Sequence, residues 1–359
     1  MKKELILVGG FLGAGKTSLL WEIAKKLNSD KKRVGLITND QASELVDTIF
    51  LETNEDIVEE VSGSCFCCNF NGFIDAIDHV VERNGSEIIV AEPVGSCTDL
   101  SATILQPVKD KFADTLDLKP LTAVADPARL KAVLADHSSP ADYIIYKQFE
   151  EADVILINKV DLLTDEELQD LVEKTTKEFP LTKLFTASVK EDKGLDEWLE
   201  YVRTTEKTGT KIVEVDYDVY AAGEAAFGWV NDKYVVTNAE NLEQKAKDLL
   251  AKLDAAFKER NLNVGHVKFL VQSKTSQFIG NITGGKENSL LRTLSNKKDG
   301  EDVTVIVNGR VETTPELLSE VIFENVKEVF GAEVKLDVHN ALIPGRPNPT
   351  HRYSEVVEK

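Results

Sequence analysis

Short apolar segments alternate with segments of helical spacing over the first ~200 residues of the chain. The apolar segments are nearly free of polar residues, which is typical of strands covered on both faces. The predicted strands are Leu5–Val8, Val34–Thr38, Ile88–Ala91, Thr122–Ala125, Val154–Ile157 and Leu184–Thr186. The predicted helices are Phe70–Arg83, Ala141–Glu151, Glu166–Glu178 and Leu195–Arg203. This alternation predicts an α/β domain with a mostly parallel sheet and helices on both faces.

A different pattern begins after the small, polar segment 204–211, which we interpret as a linker. Beyond it we predict strands at Ile212–Val219, Val264–Val271, Val303–Val307 and Ala332–Val338, a helix at Leu242–Leu262, and a hairpin turn at Asn308-Gly309. A second helix is framed by Thr314 as N-cap, Pro315 at its first position and Gly331 at its end. The tail from Pro344 is Pro-rich and predicted to be extended. We therefore predict a domain over 1–203, a linker over 204–211 and a smaller α+β domain over 212–359.

The segment from Gly10 to Thr17 reads Gly-Phe-Leu-Gly-Ala-Gly-Lys-Thr and lies between the first predicted strand and a helix. This strand–loop–helix context is what a phosphate-binding loop requires, because its glycines let the backbone approach a polyphosphate. The helix N-terminus adds amide donors and the positive end of its dipole. Lys16 would reach the β- and γ-phosphates, and the Thr17 hydroxyl would hold Mg²⁺. The first domain is therefore predicted to have a P-loop NTPase sheet.

The segment Asn158-Lys159-Val160-Asp161 follows the predicted strand Val154–Ile157 directly. A carboxylate there accepts hydrogen bonds from the N1–H and the N2 amine of guanine, a donor pair that adenine lacks. Asp161 is therefore predicted to select GTP and GDP, with Asn158 and Lys159 supporting the loop. The backbone amide of Ala187, after the next strand, is predicted to contact the guanine oxygen, although a simple loop start is the alternative.

Three cysteines, Cys65, Cys67 and Cys68, lie within one short loop, and Cys97 is the fourth in the chain. Buried structural thiols or a redox pair are the alternatives to a metal site. Thiolates converging on a soft divalent ion account best for this spacing, with Zn²⁺ as the first choice. Three cysteine ligands leave one coordination position of a four-coordinate metal ion open to water, to another ligand or to Cys97.

Glu92 ends the apolar strand Ile88–Ala91 and is followed by Pro93, Val94 and Gly95. Its carboxylate is expected to orient Mg²⁺ or water, and the Gly95 amide to face the γ-phosphate. Asp40 is a second candidate for a residue that contacts Mg²⁺ or its bound water, and a helix or turn cap is the equally weighted alternative. Catalysis is thus assigned to Lys16, Thr17, Glu92 and Asp40, and metal binding to Cys65, Cys67, Cys68, Thr17 and Glu92. Nucleotide binding is assigned to Gly10, Gly13, Ala14, Gly15, Lys16, Thr17, Ser18, Gly95, Asn158, Lys159, Asp161 and Ala187.

The composition narrows the class of partner. The chain has 359 residues, with 42 Lys and Arg against 62 Asp and Glu, and a formal net charge of -20. Such an acidic surface disfavours nucleic acid and anionic membranes as partners. Four cysteines do not form a disulfide framework at this length. We expect no signal peptide and a cytoplasmic location.

Together these motifs resemble the CobW-like family of P-loop GTPases, which serve metalloenzyme maturation. The resemblance rests on Gly-Gly-Phe-Leu-Gly-Ala-Gly-Lys-Thr from Gly9, Cys-Phe-Cys-Cys from Cys65, Glu-Pro-Val-Gly from Glu92 and Asn-Lys-Val-Asp from Asn158. It implies a GTP-hydrolysing metallochaperone, often dimeric, whose Cys-x-Cys-Cys loop binds zinc or a similar ion. The chain lacks the His-rich stretch of zinc-directed members and has five scattered histidines. Its segment Glu92–Leu100 and its Pro-Thr-His-Arg tail resemble members associated with corrinoid-dependent methyltransferases. This resemblance makes Co²⁺ a second candidate metal and a corrinoid-dependent protein a candidate client.

The sequence therefore predicts a Mg²⁺-dependent GTPase that couples nucleotide state to delivery of zinc or cobalt to a client metalloenzyme. One alternative is a GTPase that activates a corrinoid-dependent protein. Another is a nucleotide-responsive metal sensor without enzymatic activity. The second domain is expected to bind the client or a second copy of the chain in a homodimer.

Overall fold

The computed structural model of the protein describes residues 2–39, 46, 51, 57–284, 289–295, 301–331 and 333–358. The chain divides into two compact units. Among the described residues, the first unit contains 2–39, 51, 57–223 and 346–358, and the second contains Val46 and residues 224–345, apart from the gaps above. None of the helices in these ranges is long and apolar enough to cross a membrane.

The first unit is built on a parallel sheet with the strand order β3-β2-β4-β1-β6-β7-β8, and β5 pairs with β1 beside this path. Its strands are β1 (Lys3–Gly9), β2 (Val34–Asn39), β3 (Ile57–Val61), β4 (Ile88–Glu92), β5 (Leu116–Leu118), β6 (Thr122–Ala125), β7 (Val154–Ile157) and β8 (Lys183–Thr186). The register places Leu5 of β1 beside Ile89 of β4, and Val8 beside Thr122 of β6. The central strands are buried along nearly their whole length, as expected for a sheet covered on both faces.

Helices connect these strands. They are α1 (Lys16–Ser29), α2 (Phe70–Asn84), α3 (Gln106–Lys111), α4 (Pro127–Ala135), α5 (Pro140–Glu151), α6 (Asp165–Glu178), α7 (Leu195–Thr204) and α8 (Tyr217–Ala225). A short π-helical turn, Ser101–Leu105, precedes α3, and a 3₁₀ turn, Val160–Leu162, follows β7. The predicted α/β class and its parallel P-loop-type sheet are confirmed.

The second unit contains a six-stranded antiparallel sheet with the order β12-β11-β10-β13-β9-β14. The strands are β9 (Gly228–Ala239), β10 (Asn263–Gln272), β11 (Gln277–Thr283), β12 (Ser289–Ser295), β13 (Glu301–Glu312) and β14 (Lys335–Leu342). Helices α9 (Leu242–Glu259) and α10 (Pro315–Phe330) share one apolar core with this sheet. The predicted α+β character of this region is confirmed, as is the Thr314 cap of α10, whose side chain accepts from the Leu317 amide.

Two local predictions in the second half of the chain are wrong. The alternating segment Ile212–Val219 does not form a strand, because the Asp216 carboxylate accepts from the amides of Asp218 and Val219 and starts helix α8. Asn308-Gly309 is not a hairpin turn but lies inside β13, paired with β9 and β10. A Cβ at Gly309 would lie 3.3 Å from side-chain atoms of Leu318 and Ile322, so glycine lets α10 pack closely on the strand.

The compact units divide the chain differently from the predicted limits near residues 204–211 and at the C-terminus. The Asp153 carboxylate accepts from the Gly209 amide, and the Lys211 ammonium donates to the Ala152 carbonyl. These bonds bind the polar segment to the first unit. Residues 346–358 also belong to that unit.

Candidate nucleotide and metal site

The loop between β1 and α1 has the backbone that a phosphate cradle needs. Gly10, Gly13 and Gly15 have φ values of 125°, 80° and 100°, which side chains rarely tolerate. A Cβ at Gly10 would lie 2.3 Å from the Val124 carbonyl oxygen. Helix α1 begins at Lys16, directly after this turn, so its first amides face the loop. Ala14 lies within the loop, and Ser18 lies in the first turn of α1.

Lys16, Thr17 and Glu92 meet at the carboxyl edge of the sheet. The Lys16 ammonium lies 3.6 Å from Glu92 Oε1 and donates to the Phe11 carbonyl across 3.3 Å. The Thr17 hydroxyl donates to the same Glu92 oxygen across 3.3 Å. All three side chains are largely buried. A hydroxyl and a carboxylate this close form an oxygen donor set that Mg²⁺ prefers, so the residues fit that ion.

Gly95 lies against this group. A Cβ at Gly95 would come within 2.7 Å of Leu12 Cδ2 and 3.2 Å of Lys16 Nζ, so its backbone borders the lysine ammonium. The expected position of its amide beside a γ-phosphate stays a prediction. Asp40, the further catalytic candidate, lies outside the described residues.

The segment after β7 is tied to the phosphate loop. Asn158 donates to the Ala14 carbonyl across 3.0 Å and accepts from the Val189 amide across 3.1 Å. Lys159 has a φ of 58°, and its ammonium donates to the Gly13 carbonyl at 2.8 Å and to Asp126 at 2.7 Å. The segment after β7 and the loop between β1 and α1 are thus held as one assembly.

Asp161 is fixed by the segment after β8, where Ser188 Oγ donates to its Oδ1 across 2.6 Å. The Lys190 ammonium lies 3.9 Å from its other oxygen. Ala187, however, donates its amide to the Ile157 carbonyl at 2.8 Å in the strand pairing. A guanine contact by that amide would require this bond to be shared or replaced.

The thiols of Cys65, Cys67 and Cys68 converge, with all three sulfur atoms within 4.8 Å of one another. The Sγ atoms of Cys65 and Cys67 are 2.9 Å apart, and those of Cys67 and Cys68 are 3.9 Å apart. The turn that gathers them is closed by the Cys68 and Asn69 amides, which both donate to the Cys65 carbonyl. Cys65 and Cys67 are buried, whereas Cys68 is partly exposed. Soft ligands in this arrangement suit zinc, cobalt or a similar ion.

Cys97 also reaches this cluster, because its thiol hydrogen bonds with Cys65 and Cys67. Hydrogen bonds from neighbouring thiols, Cys67 first, lower the pKa of Cys65 far below its usual range. The same contacts raise the pKa of Cys67, and the bond to Cys65 raises the pKa of Cys68 to about 11. The three thiols therefore titrate as one coupled group, in which the pKa of Cys65 is lowered and the pKa values of Cys67 and Cys68 are raised.

Two amide side chains that the sequence analysis did not assign hold these parts in place. Asn39, at the end of β2, donates to the carbonyls of Val61 and Ser64 and accepts from the Phe66 amide. Gln148 of α5 donates to the carbonyl oxygens of Gly95, at 3.0 Å, and Cys97, at 2.8 Å. Both are common polar residues without a motif around them, so no sequence signal distinguished them.

Comparison with known proteins agrees with this geometry. Residues 4–186 match the family model described as CobW/HypB/UreG, nucleotide-binding domain. The chain is 29% identical over 188 residues to a zinc chaperone CobW of Sinorhizobium sp, covering 44% of this chain and 51% of that protein. It is 30% identical over 171 residues to the zinc-regulated GTPase metalloprotein activator 1 of Schizosaccharomyces pombe, covering 45% of this chain and 40% of that protein. The match thus spans about half the length of these curated relatives.

Among solved structures, HypB from Helicobacter pylori in complex with nickel aligns with a TM-score of 0.41 and 17% identity. That alignment covers 57% of this chain and 89% of HypB. The family model, by contrast, spans more than half of the chain and includes the Gly-rich loop, all four cysteines and the segment Asn158–Asp161. The protein therefore belongs to the CobW/HypB/UreG family through its nucleotide-binding domain.

Proposed function

We propose that this protein is a Mg²⁺-dependent GTPase that couples its nucleotide state to binding and delivery of a thiolate-bound divalent metal ion, with zinc as the first choice and cobalt as the second. One observation carries the proposal. The Gln148 amide donates to both Gly95 and Cys97, so one side chain joins the backbone beside Lys16 to the backbone of the thiol cluster. The names of the curated relatives support zinc as cargo.

Hydrolysis in this proposal transfers the γ-phosphoryl group to water. A bond forms between the water oxygen and the γ-phosphorus, the bond to the β–γ bridging oxygen breaks to leave GDP and inorganic phosphate, and the proton from water passes to the phosphate or to solvent. Lys16 and the loop amides stabilise the phosphate charge, and Gly95 offers an amide beside the γ-phosphate. Thr17 and Glu92 would hold Mg²⁺, which supplies charge neutralisation when bound. The rate acceleration comes from positioning of the reactants and from stabilisation of charge, and no covalent intermediate with the protein is formed.

Metal binding in this proposal uses Cys65, Cys67 and Cys68, with Cys97 close enough to two of them to respond to cargo. A change at the γ-phosphate moves the Gly95 backbone, and the Gln148 bridge passes this movement to Cys97. GTP and GDP then favour different arrangements of the cluster. The receiver is a client metalloenzyme in the cytoplasm, and the second unit is the surface for that client or for a second copy of the chain.

The decisive experiment is a competition titration of Zn²⁺ and Co²⁺ with the protein bound to GDP or to a non-hydrolysable GTP analogue. We expect the two affinities to differ by about 5- to 150-fold, the usual range of coupling between two sites. Equal affinities would overturn the proposed coupling, because a ligand that binds both states equally shifts neither.

Two variants serve as controls in that titration. The Cys65→Ser/Cys67→Ser/Cys68→Ser variant is expected to bind GTP but no metal at this site. The Lys16→Ala variant is expected to bind metal with the same affinity whichever nucleotide is added. Retention of the metal site by the triple variant would contradict the assignment of these ligands.

A further inference from the structure

The end of the chain returns to the cysteine cluster of the first unit. Thr350 donates its amide to the Cys67 carbonyl across 2.8 Å and its hydroxyl to the Cys68 carbonyl across 3.1 Å. The Asn348 amide donates to Cys68 Sγ across 3.3 Å. We name residues 346–358 the C-terminal strap. The strap therefore contacts the one thiol of the three-cysteine loop that is not buried.

An ion pair between the partly exposed Arg352 and the buried Asp99 fastens the strap next to this contact. Arg352 Nε lies 2.7 Å from Asp99 Oδ2, which also accepts from the Tyr217 hydroxyl at 2.7 Å. Asp99 is buried and has a φ of 66°, a conformation that costs a non-glycine residue energy and persists only when its surroundings hold it. Asp99 lies two residues after Cys97, so the strap is bound to both thiol-bearing segments.

Further along, the strap is held by hydrogen bonds to the segment that carries α3. The Tyr353 amide donates to the Ala102 carbonyl at 3.1 Å, and its hydroxyl donates to Asp110 at 2.8 Å. The Val357 amide donates to Gln106 at 2.8 Å. These contacts hold the strap in one conformation. Movement of the strap away from Cys68 would break the hydrogen bonds and the ion pair described above.

Resting on the function proposed above, we propose that the C-terminal strap gates the metal cluster at Cys68 and sets the rate at which metal enters and leaves. Delivery requires ligand exchange. An acceptor ligand gives up its proton and bonds to the metal as the Cys68–metal bond breaks, the electron pair stays on sulfur, and the released Cys68 thiolate takes up that proton. The metal remains divalent throughout. Cys68 is the sulfur from which exchange begins, because Cys65 and Cys67 are buried, and the strap covers it.

A gate acts differently from a ligand or from a structural support. Opening the strap exposes the cluster to arriving and departing metal alike, so uptake and release both accelerate while the equilibrium affinity stays the same. A residue that stabilises the metal-bound state would instead slow release and leave uptake unchanged. The ratio of the two rates therefore distinguishes the gate from a merely structural role.

The test uses the full-length protein with two independent ways of loosening the strap. The Thr350→Val/Tyr353→Phe variant removes two hydroxyl donors without changing charge, and Arg352→Ala removes the ion pair. Arg33→Ala is the matched control, because Arg33 forms an exposed ion pair with Glu87 in the same unit. Zinc uptake and zinc transfer to a chelator are measured by stopped flow. We expect both rates to rise about 5- to 30-fold, as loss of one or two hydrogen bonds predicts, with affinity unchanged.

Unchanged rates in both loosened variants would overturn the gate, as would faster release with unchanged uptake. Maleimide labelling of the metal-free protein, mapped by peptide mass spectrometry, provides a readout that needs no metal. Labelling of Cys68 is expected to accelerate in the loosened variants and that of Cys65 to stay slow. If the wild type binds no zinc or cobalt, the proposed function fails. Unaltered Cys68 labelling in the variants would show separately that the strap does not cover this thiol.

Discussion

Ser188 and Asp161 form a short hydrogen bond in which the serine hydroxyl donates to Oδ1 of the carboxylate across 2.6 Å. The Asp161 side chain is 9% exposed, and the Lys190 ammonium lies 3.9 Å from its Oδ2. The bond fixes the carboxylate before any nucleotide is present. A pre-oriented acceptor would lose little conformational entropy on binding the guanine base that we propose as its ligand.

Replacing Asp161 with Asn tests base selection. The amide can still accept one hydrogen bond, but its NH₂ group faces the N2 amine of guanine, so GTP affinity should fall about 10- to 100-fold. Xanthosine triphosphate carries an oxygen at this position and should bind the variant better than it binds the wild type. Fluorescence titrations with GTP and with xanthosine triphosphate measure the two affinities and the change in their ratio. Asp165→Asn, on the exposed first turn of α6, is the control. An unchanged ratio of the two affinities would exclude Asp161 as the selecting residue.

Replacing Glu92 with Gln tests the proposed Mg²⁺ site. The substitution keeps the shape and the contact with Thr17 but removes the negative charge beside Lys16. We expect GTP hydrolysis to fall about 10²- to 10³-fold, the usual cost of losing one electrostatic contact in a catalytic site. Binding of GTP measured without Mg²⁺ should stay within about threefold of the wild type.

The control for this experiment is Glu87→Gln, an exposed carboxylate just before the same strand. Turnover is measured as phosphate release over a series of Mg²⁺ concentrations. A Glu92→Gln variant with wild-type turnover and an unchanged Mg²⁺ requirement would remove Glu92 from the site.

The motifs of the candidate site that lie in one continuous segment could be recognised in the sequence, and the functional roles assigned to them stay predictions. The phosphate loop needs glycines at fixed offsets before a helix, and the cysteine loop needs ligands close together in the chain. Asn39 and Gln148 escaped notice because each acts on backbone atoms brought near by the fold, and an isolated amide has no characteristic spacing. The turn predicted at Asn308-Gly309 failed for a related reason, since helix packing selected that glycine rather than chain reversal.

Alanine substitutions at Gly10 and Gly63 distinguish the loss of stability caused by steric collision from the loss caused by backbone strain. Both glycines have positive φ, 125° and 87°, but a Cβ at Gly10 would lie 2.3 Å from the Val124 carbonyl oxygen, whereas no atom of the described residues lies within 4 Å of one at Gly63. Gly63→Ala should lower the free energy of unfolding by about 1 kcal/mol through strain alone. Gly10→Ala adds the collision and should cost about 3 kcal/mol or more. Urea unfolding of both variants measures the difference, and equal costs would contradict the crowding at Gly10.

Glu151 of α5 should make stability fall as pH rises. Its side chain is fully buried and accepts from Thr98 Oγ1 and the Ser101 amide, and burial raises its pKa to about 8. The folded state therefore holds a proton that the unfolded state, with the ordinary pKa of about 4.5, releases. Between these two values the free energy of unfolding should decrease by about 1.4 kcal/mol per pH unit because of this group, and it should level off above pH 8.

The Glu151→Gln variant isolates that contribution. Its amide does not titrate, and it can accept from the Ser101 amide while donating to Thr98 Oγ1. The variant's stability relative to the wild type should therefore increase from about pH 5 to pH 8, by a total of a few kcal/mol. Glu150→Gln, beside it in the helix but partly exposed, should show no such increase. Urea unfolding at four pH values measures these differences. Wild-type and Glu151→Gln curves that run parallel with pH would mean that the buried carboxyl group is ionised like an exposed one.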